Sequence, residues 1–456
     1  MKISRLRKPN ISIKEIPAYI RGGFSYVGRE IGRVRGTNIW IFIMYGLLFD
    51  TVNNLWRPFS AVFLQRLGGN ELHIALLNAL PGAVGAIVLL PGAFAFRRFT
   101  NKKRATAVFI LISRALLLGI AAIPMLPPEI RPLLFVILLA IMNCPDALSQ
   151  TSFQGLLGTI FEGNTRGQAI TLRNKFGQAV VPVVTVATGL MITFVPRTYA
   201  ERMMLYQIFF VLAFLFGVLE VMMFRRFKMP EDNNSPPGDH HAFDQNQDTT
   251  KKPMPPTGFA FITYILKDKK FLKFFFVALM FMFTWHAGWP LVAIHQVIVI
   301  QATEMWFAIF ALVSGVTAFL SGGMWQRWLR KYGNNTVFAI SAFMLAVNMF
   351  LFPLTVNVQM VAMLSVFTGF STIGINASLL NGILEATPDD NRMIYLAFYN
   401  TATSISLFIA PFFSHALLSW IGNRNAMFIV GGMRVIATLV IWLVLRYKVK
   451  TQTNSE

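Results

Sequence analysis

The sequence has little charge and almost no cysteine. Charged residues make up 13% of its 456 residues and hydrophobic residues 55%, whereas soluble domains carry about a quarter charged residues. This balance excludes a soluble multidomain enzyme, a disordered chain and a coiled coil. The single cysteine, Cys144, excludes a disulfide framework and any metal site built from several cysteines.

Motifs that would supply chemistry are also absent. The sequence contains no G-x-x-x-x-G-K-[ST] loop for nucleotide phosphates and no H-E-x-x-H pair for zinc. ATP is therefore not expected to be the direct energy source, and no cofactor or metal is predicted. An enzyme would need a nucleophile with its base or a metal cluster, so the sequence predicts that the protein is not an enzyme.

Long apolar runs dominate what is present. A helix that crosses a bilayer needs about 20 mostly apolar residues, and runs of this kind are separated here by charged residues, proline and glycine. We therefore predict an all-α integral membrane protein with 12 transmembrane helices. The predicted spans are 38–64, 71–96, 104–126, 131–158, 168–195, 202–225, 271–299, 303–326, 335–355, 358–384, 392–420 and 424–446.

The net charge of +21 could suggest a nucleic-acid partner, but the basic residues lie mainly in alternate short loops between the apolar runs. Under the positive-inside rule these loops face the cytoplasm. Both termini are then cytoplasmic and the protein lies in a plasma membrane, expected to be a bacterial inner membrane, with no nucleic acid bound. The opposite loops contain only Arg66, Arg131, Arg197, Arg202 and Arg424.

A polar stretch after span six divides the spans six and six. Its composition cannot form a hydrophobic core, so it is interpreted as a cytoplasmic linker, and His240–His241 within it as a solvated pair and not a metal site. Weak repeats relate the two halves, an arrangement typical of transporters. The predicted organisation is a basic amphipathic segment (1–37), a first bundle (38–226), the linker (227–270), a second bundle (271–447) and a tail (448–456).

Loop sequences strengthen this interpretation. The loop after span two keeps Gly92 and a basic cluster, and the loops before spans five and eleven contain an acidic residue four positions before Arg166 and three positions before Arg392. Over residues 38–446 the chain resembles the major facilitator superfamily, although Phe96 stands where that superfamily usually has an aspartate. The resemblance implies two six-helix pseudo-repeat bundles around a central cavity lined by spans one, four, seven and ten.

Polar residues lie at mid-depth in those same four spans. A polar group in hydrocarbon costs several kcal/mol unless it is partnered, and an ionisable one marks a functional site by default. Asp50 lies about 18 Å from the inner end of span one, and Asp50, Asn54 and Arg57 share one helical face. The remaining candidates are Asn143, Asp146 and Gln150 in span four, Trp285, His286 and Trp289 in span seven, and Asn376 in span ten.

Their chemistry indicates roles. Asp50 and Asp146 are candidates for carrying protons, because a carboxylate in a low-dielectric cavity is easily protonated. Arg57 keeps its charge, so it either binds an anionic substrate group or pairs with a carboxylate. In the structural alternative, Asp50 and Arg57 pair through Asn54 or with another helix and hold the bundle together. The other substrate-binding candidates are Asn54, Asn143, Gln150, Trp285, His286, Trp289 and Asn376, as ring-stacking or hydrogen-bonding groups.

Two of these assignments have structural alternatives, since His286 could be a satisfied interior histidine and Trp289 could pack at a kink before Pro290. Glu220 is interpreted as structural and as extending toward the interface near Arg225. Arg114 and Arg434 lie deep in spans three and twelve, and each is expected to form an interhelical ion pair.

The leading hypothesis is a secondary active transporter of a small organic solute, driven by a proton gradient and acting as a monomer in the lipid bilayer. One alternative is an efflux pump for amphipathic drugs, and another is a lipid-handling or sensor protein on the same fold. A membrane enzyme acting on lipid-linked substrates is disfavoured for lack of catalytic groups.

Overall fold

The protein is described from a computed structural model. The structure describes residues 37–96, 99, 101–161, 163–228, 265–388 and 392–446. The predicted N-terminal segment (except Thr37), nearly all of the predicted linker and the tail lie outside the described residues. The domain boundaries drawn through these segments therefore stay predictions.

Long helices account for nearly all of the described chain. Gly422 has φ 78° and ψ 161°, which are not helical, so the last run Arg392–Arg446 consists of two helices, α11 (392–421) and α12 (423–446). The first crossing, α1 (Asn38–Arg66), contains a 3-10 turn at Arg57–Phe59. The other helices are α2 (Glu71–Phe96), α3 (Lys102–Ala122), α4 (Arg131–Ile160), α5 (Gly163–Phe194), α6 (Tyr199–Arg225), α7 (Lys269–Ile294), α8 (Glu304–Tyr332), α9 (Asn334–Leu351) and α10 (Val358–Ala386).

These helices confirm an all-helical, multi-pass membrane protein. Among the described residues, 10 helices are long and apolar enough to cross a bilayer, and one of them, Phe398–Leu445, includes most of both α11 and α12. Val180–Phe194 in α5 forms a shorter apolar helix. The predicted count of twelve fits this arrangement.

Side chains at several helix starts accept hydrogen bonds from the first free backbone N–H groups. The Thr198 side chain accepts from the backbone of Glu201 at α6, and Asn357 does so from Met360 at α10. Asp268 accepts from the backbone N–H groups of Lys270 and Phe271 at α7. These caps define where the helices begin at each bundle end.

Helix packing repeats between the two halves. In the first half α1 packs on α5 and α6, α2 on α4, and α3 on α4 and α6. In the second half α7 and α9 pack on the α11–α12 run, while α8 and α9 pack on α10. Between the halves, α2 packs on the α11–α12 run and α5 packs on α8. The same neighbours recur six helices later, as expected of a pseudo-repeat.

The two ends of the bundle differ in their cores. We call the end where α6 stops and α7 starts the linker end, and the opposite end, which includes Gly422, the far end. One hydrophobic core covers the far end and contains residues of both halves, such as Phe63 and Phe352. At the linker end the first half has its own core around Phe153, and the second half has a separate core around Phe271.

Candidate functional site

Arg114 lies at the centre of a buried ionic cluster in the first half. Its guanidinium donates to both oxygens of Glu220 on α6, with Nε–Oε2 2.9 Å and Nη2–Oε1 3.2 Å, and to Asp146 Oδ1 on α4 at 3.3 Å. The Phe49 ring on α1 lies 5.5 Å from its Cζ atom. The expected interhelical pair of Arg114 is therefore present, and it joins α3 to α4 and α6.

This cluster contains two carboxylates but only one cation. Arg114 and Glu220 are buried, whereas the Asp146 side chain is 19% exposed. Two like charges close together in a medium of low dielectric cannot easily both remain ionised. The cluster therefore carries a surplus negative charge, and Asp146 is its accessible member.

The expectation that Glu220 extends toward the interface is wrong. The residue is fully buried and its carboxylate forms a two-bond pair with Arg114. Extension was inferred from the nearness of Arg225 in sequence, but α3 brings a cation much closer. Glu220 thus belongs to the ionic cluster and was missed as a candidate.

Asp50 forms a second ion pair, with Arg173 on α5. Arg173 Nη2 donates to Asp50 Oδ1 at 2.7 Å, and both side chains are mostly buried. Glycine makes room on each side: a Cβ atom at Gly46 would lie 2.5 Å from Arg173 Nε, and one at Gly177 would lie 2.6 Å from Asp50 Oδ2. The structural alternative for Asp50 is thus met in one of its forms, a pair with another helix, whereas no pair between Asp50 and Arg57 occurs among the described residues.

Arg173 was missed as a candidate because it lies only five residues after the predicted start of span five, near the cytoplasmic side. The helix α5 in fact starts at Gly163, so Arg173 lies ten residues along it, about 15 Å at 1.5 Å per residue. Asn54 also contacts α5, because its side-chain oxygen accepts a hydrogen bond from Thr185 Oγ1 at 3.1 Å. Polar residues of α1 are thus directed partly at a neighbouring helix of the same half.

Arg434 differs from expectation, because it forms no ion pair among the described residues. It is buried, and it donates to the backbone carbonyls of Thr284 on α7 at 2.8 Å and Leu345 on α9 at 3.1 Å. Its Nε atom is buried with no hydrogen-bond partner in the described chain. The buried guanidinium of Arg434 thus connects α12 to α7 and α9 through hydrogen bonds.

Arg57 and Asn143 line one cavity of about 210 Å³ between α1, α2 and α4. Trp56 and Asn78 also line it, and Ala293 of α7 contributes from the second half. The cavity therefore lies where the two halves meet, toward the far end from Asp50. It brings together two of the predicted substrate-binding residues.

A second group of candidates lies on α7. His286 is buried, its Nδ1 atom is 3.2 Å from Ser406 Oγ on α11, and its ring lies 5.0 Å from that of Trp289. The rings of Trp285 and Trp289 are 6.1 Å apart, and Trp289 is 40% exposed. His286 thus has a polar partner, as the structural alternative requires, while Trp289 keeps an exposed ring.

The last two candidates do not join either group. Gln150 is half-buried on α4, and Asn376 is exposed on α10. The cavity between α1, α2 and α4 includes neither of them. Their predicted role in binding a substrate remains a prediction.

Comparisons with known proteins agree with this architecture. A family profile for the Major Facilitator Superfamily matches residues 298–456, whereas no curated protein matches the chain by sequence.

Solved structures match over nearly the whole chain. The nucleoside transporter NupG is similar with a TM-score of 0.64 at 12% identity, covering 90% of this chain and 100% of that one. A POT family transporter in complex with a thioalcohol-conjugated peptide gives 0.64 at 13% identity, covering 90% and 96%. A POT family transporter in complex with 5-aminolevulinic acid gives 0.63 at 14% identity, covering 89% and 95%. At these identities the likeness shows a shared fold.

Proposed function

We propose that this chain, a member of the major facilitator superfamily, is a secondary active transporter that moves a small polar organic solute by alternating access, coupled to protons. The observation that carries the proposal is the unequal packing of the two ends. One core joins the halves at the far end, whereas each half has its own core at the linker end.

Alternating access requires such a difference in packing between the two ends of the bundle. Two halves that rock about a central site must separate at one end while they remain packed at the other. Because the halves have independent cores at the linker end, they can move together or apart there without either half unfolding. The conformation described is the one with the far end closed.

A polar solute fits the interior better than an amphipathic drug. Arg57, Asn78 and Asn143 line the cavity at the junction of the halves, and polar groups that line a cavity favour ligands that can hydrogen-bond with them. The similar structures are those of a nucleoside transporter and of POT family transporters in complex with a thioalcohol-conjugated peptide and with 5-aminolevulinic acid. All three solutes are small and polar.

Asp146 is the proposed proton carrier. It is the exposed member of the cluster in which Glu220 already neutralises Arg114 with two hydrogen bonds, so a proton on Asp146 removes the surplus negative charge. Asp50 is the second candidate, but its one-to-one pair with Arg173 is already neutral.

Solute-induced pH change in proteoliposomes tests both parts of the proposal. The panel contains organic acids, amino acids, nucleosides, peptides, sugars and cationic drugs. We expect a polar solute to drive proton movement in the wild type, and Asp146→Asn to abolish proton movement while solute exchange at equal concentrations continues. Glu201→Gln is the matched control, because Glu201 is an exposed carboxylate on α6 outside the cluster.

Three results would contradict parts of this proposal. Proton movement that is intact in Asp146→Asn would reject Asp146 as the carrier. A response confined to cationic drugs would favour an efflux pump. If no solute moves in proteoliposomes that contain folded protein, solute transport itself is rejected and a lipid-handling or sensor role is favoured.

The orientation is proposed from the charge pattern. Basic residues concentrate in the loops predicted to lie on the side of the linker, so the linker end should face the cytoplasm of a plasma membrane, with the protein acting as a monomer. A reporter fused after residue 240 should then read as cytoplasmic, and an external reading would refute this topology.

A further inference from the structure

Arg57 has no anionic partner in the described part of the chain. Its side chain is exposed, and its recorded side-chain interaction is with the neighbouring Trp56 ring, whose centroid lies 5.9 Å from Cζ. This isolation contrasts with Arg66, Arg114 and Arg173, each of which pairs with a carboxylate. An arginine that lines a cavity within a membrane span and has no carboxylate partner is a candidate for binding an anionic ligand.

Trp56, which lines the same cavity, also has an unused donor. The residue is 6% exposed, and its indole Nε1 atom is buried with no hydrogen-bond partner in the described chain. Buried tryptophan N–H groups normally have a partner. Both unused donors therefore belong to adjacent residues that line one cavity.

A break in α1 places these neighbours together. Adjacent residues of a regular helix point about 100° apart, but here the α-helix stops at Trp56 and a 3-10 turn begins at Arg57, with Pro58 as its second residue. Proline lacks the N–H that would continue the helix. The break lets Trp56 and Arg57 line the same space.

The opposite wall supplies acceptors. The carboxamide nitrogens of Asn78 and Asn143 each donate to a carbonyl four residues earlier, of Ile74 at 2.8 Å and Leu139 at 2.7 Å. Their side-chain oxygens receive no hydrogen bond from any described residue, so they retain acceptor capacity. A ligand that satisfies this cavity needs an anionic group and also a hydrogen-bond donor.

We infer that this cavity is the substrate subsite of the transporter and that it binds a small carboxylic acid carrying a hydroxyl or ammonium group. The carboxylate lies against Arg57 and the Trp56 N–H, and the donor group lies against the oxygens of Asn78 and Asn143. The volume of about 210 Å³ is below that of pockets for drug-sized ligands. The inference rests on the proposed transport function and gives it a substrate class.

The position of the cavity suits this role. Ala293 of α7 forms part of its wall, so the cavity is complete only while the far end is closed. A ligand held there contacts both halves in one conformation and only the first half in the other. It can therefore favour the conformation in which both halves contact it.

Equilibrium binding to the full chain in nanodiscs, measured by isothermal titration calorimetry, tests the inference. The probes are lactate, alanine, propionate, lactamide and propylamine, together with their six-carbon counterparts. We expect the hydroxy or amino acids to bind at least about tenfold more tightly than the plain carboxylates, and the neutral and cationic probes to bind more weakly still.

Substitutions locate the binding. Arg57→Gln should weaken acid binding by about ten- to a hundredfold, and Arg57→Lys should weaken it less. Trp56→Phe, which replaces the indole by a smaller aromatic ring without an N–H, should weaken it by about three- to tenfold. Arg424→Gln is the matched control, since Arg424 is an exposed arginine near the far end and does not line the cavity. Its affinity should equal that of the wild type, and thermal melting should show all variants folded.

Three results would overturn the inference: equal acid affinity in Arg57→Gln, equal affinity for lactate and lactamide, or no binding of any acid by folded protein. If another solute then moves in proteoliposomes, the transport proposal survives without this site. If acids bind through Arg57 but no solute moves, the site stands and the transport proposal fails.

Discussion

The far end and the linker end of the same bundle hold the two halves together in different ways. At the far end a single core runs through both halves, and polar side chains cross between them. At the linker end two cores form, one within each half, and they share no residue. The contacts between the two halves are therefore concentrated at the far end, whereas hydrophobic packing at both ends stabilises each half.

Polar contacts at the far end gather around the first turn of α8. Glu304 is buried; its carboxylate accepts from Arg66 Nη2 at 2.9 Å and from the Tyr206 hydroxyl at 2.8 Å. The neighbouring backbone N–H of Met305 donates to Thr193 Oγ1 on α5 at 2.9 Å. We call these residues the far-end latch: Arg66, Thr193, Tyr206, Glu304 and Met305.

Aromatic packing dominates the linker end, but only within each half. Tyr45 and Phe153 have ring centroids 4.7 Å apart in the first half, and Phe271 and Tyr395 are likewise 4.7 Å apart in the second. Edge and tilted arrangements at such distances contribute about 1 kcal/mol beyond burial. These cores stabilise each half without holding the two halves together.

The largest effect should follow from joining the far end covalently. The Met305 backbone N–H donates to Thr193 Oγ1 at 2.9 Å, so we expect cysteines at these two positions to be able to form a disulfide. In a Cys144→Ser background, oxidised Thr193→Cys with Met305→Cys should abolish transport, because the far end can no longer open. Solute uptake by proteoliposomes measures this, and a reductant should restore it.

Each single cysteine variant serves as the control and should be insensitive to oxidation. Full transport by the oxidised double variant, with the crosslink verified by mass spectrometry, would show that the far end does not need to open.

A matched pair of core substitutions should separate the two ends next. Phe153→Ala and Phe63→Ala each remove a buried ring and should cost about 3–5 kcal/mol. Because Phe153 belongs to a core of the first half alone and Phe63 to the shared core, Phe153→Ala should raise amide exchange in the first half only. Phe63→Ala should raise it in both halves, as measured by hydrogen–deuterium exchange. Identical exchange maps for the two variants would contradict the difference between the ends.

A smaller effect is expected from neutralising the latch. Glu304→Gln leaves Arg66 without its counter-ion, and because the Arg66 side chain is 22% exposed the cost should be about 2 kcal/mol, less than for a fully buried pair. That cost shifts the balance toward an open far end by about thirtyfold. Labelling of Ser60→Cys by an impermeant maleimide added from the far side should accelerate accordingly.

Glu201→Gln provides the control for the latch, because Glu201 lies at the same end but is exposed and accepts from the backbone of Arg197 in its own half. Equal labelling rates in both variants would show that the latch does not hold the far end closed.

The helices could be predicted closely from the sequence because each is an apolar run bounded by charge. Predicted span two, 71–96, coincides with α2, and predicted span ten begins at the first residue of α10. The resemblance to the superfamily and the six-plus-six division depended on the same local signals. Predicting these features does not require knowing which side chains contact each other in the folded protein.

The ion pairs could not be predicted, because they depend on which helices become neighbours. Asp50 was recognised as an interior charge, but its partner Arg173 lay near the predicted start of span five, whereas α5 begins five residues earlier and places Arg173 deeper in the helix. Glu304 was unremarkable at the edge of an apolar run, yet it is buried between three helices. Gly46 and Gly177 make room for the Asp50–Arg173 pair. This role can be recognised only once the packing of the helices is known.

The smallest effect should come from Thr193→Val, which removes one neutral hydrogen bond from the latch and keeps the shape of the side chain. The residue before α8, Thr303, makes no side-chain cap, so Thr193 of the other half supplies an acceptor that a capping residue normally provides within its own helix. Its loss should cost about 1 kcal/mol, a shift of roughly fivefold toward the open far end. The same labelling of Ser60→Cys measures it, and Thr317→Val on α8, whose hydroxyl bonds within its own helix, should leave the rate unchanged. A shift as large as that of Glu304→Gln would show that the backbone cap, and not the ion pair, holds the far end closed.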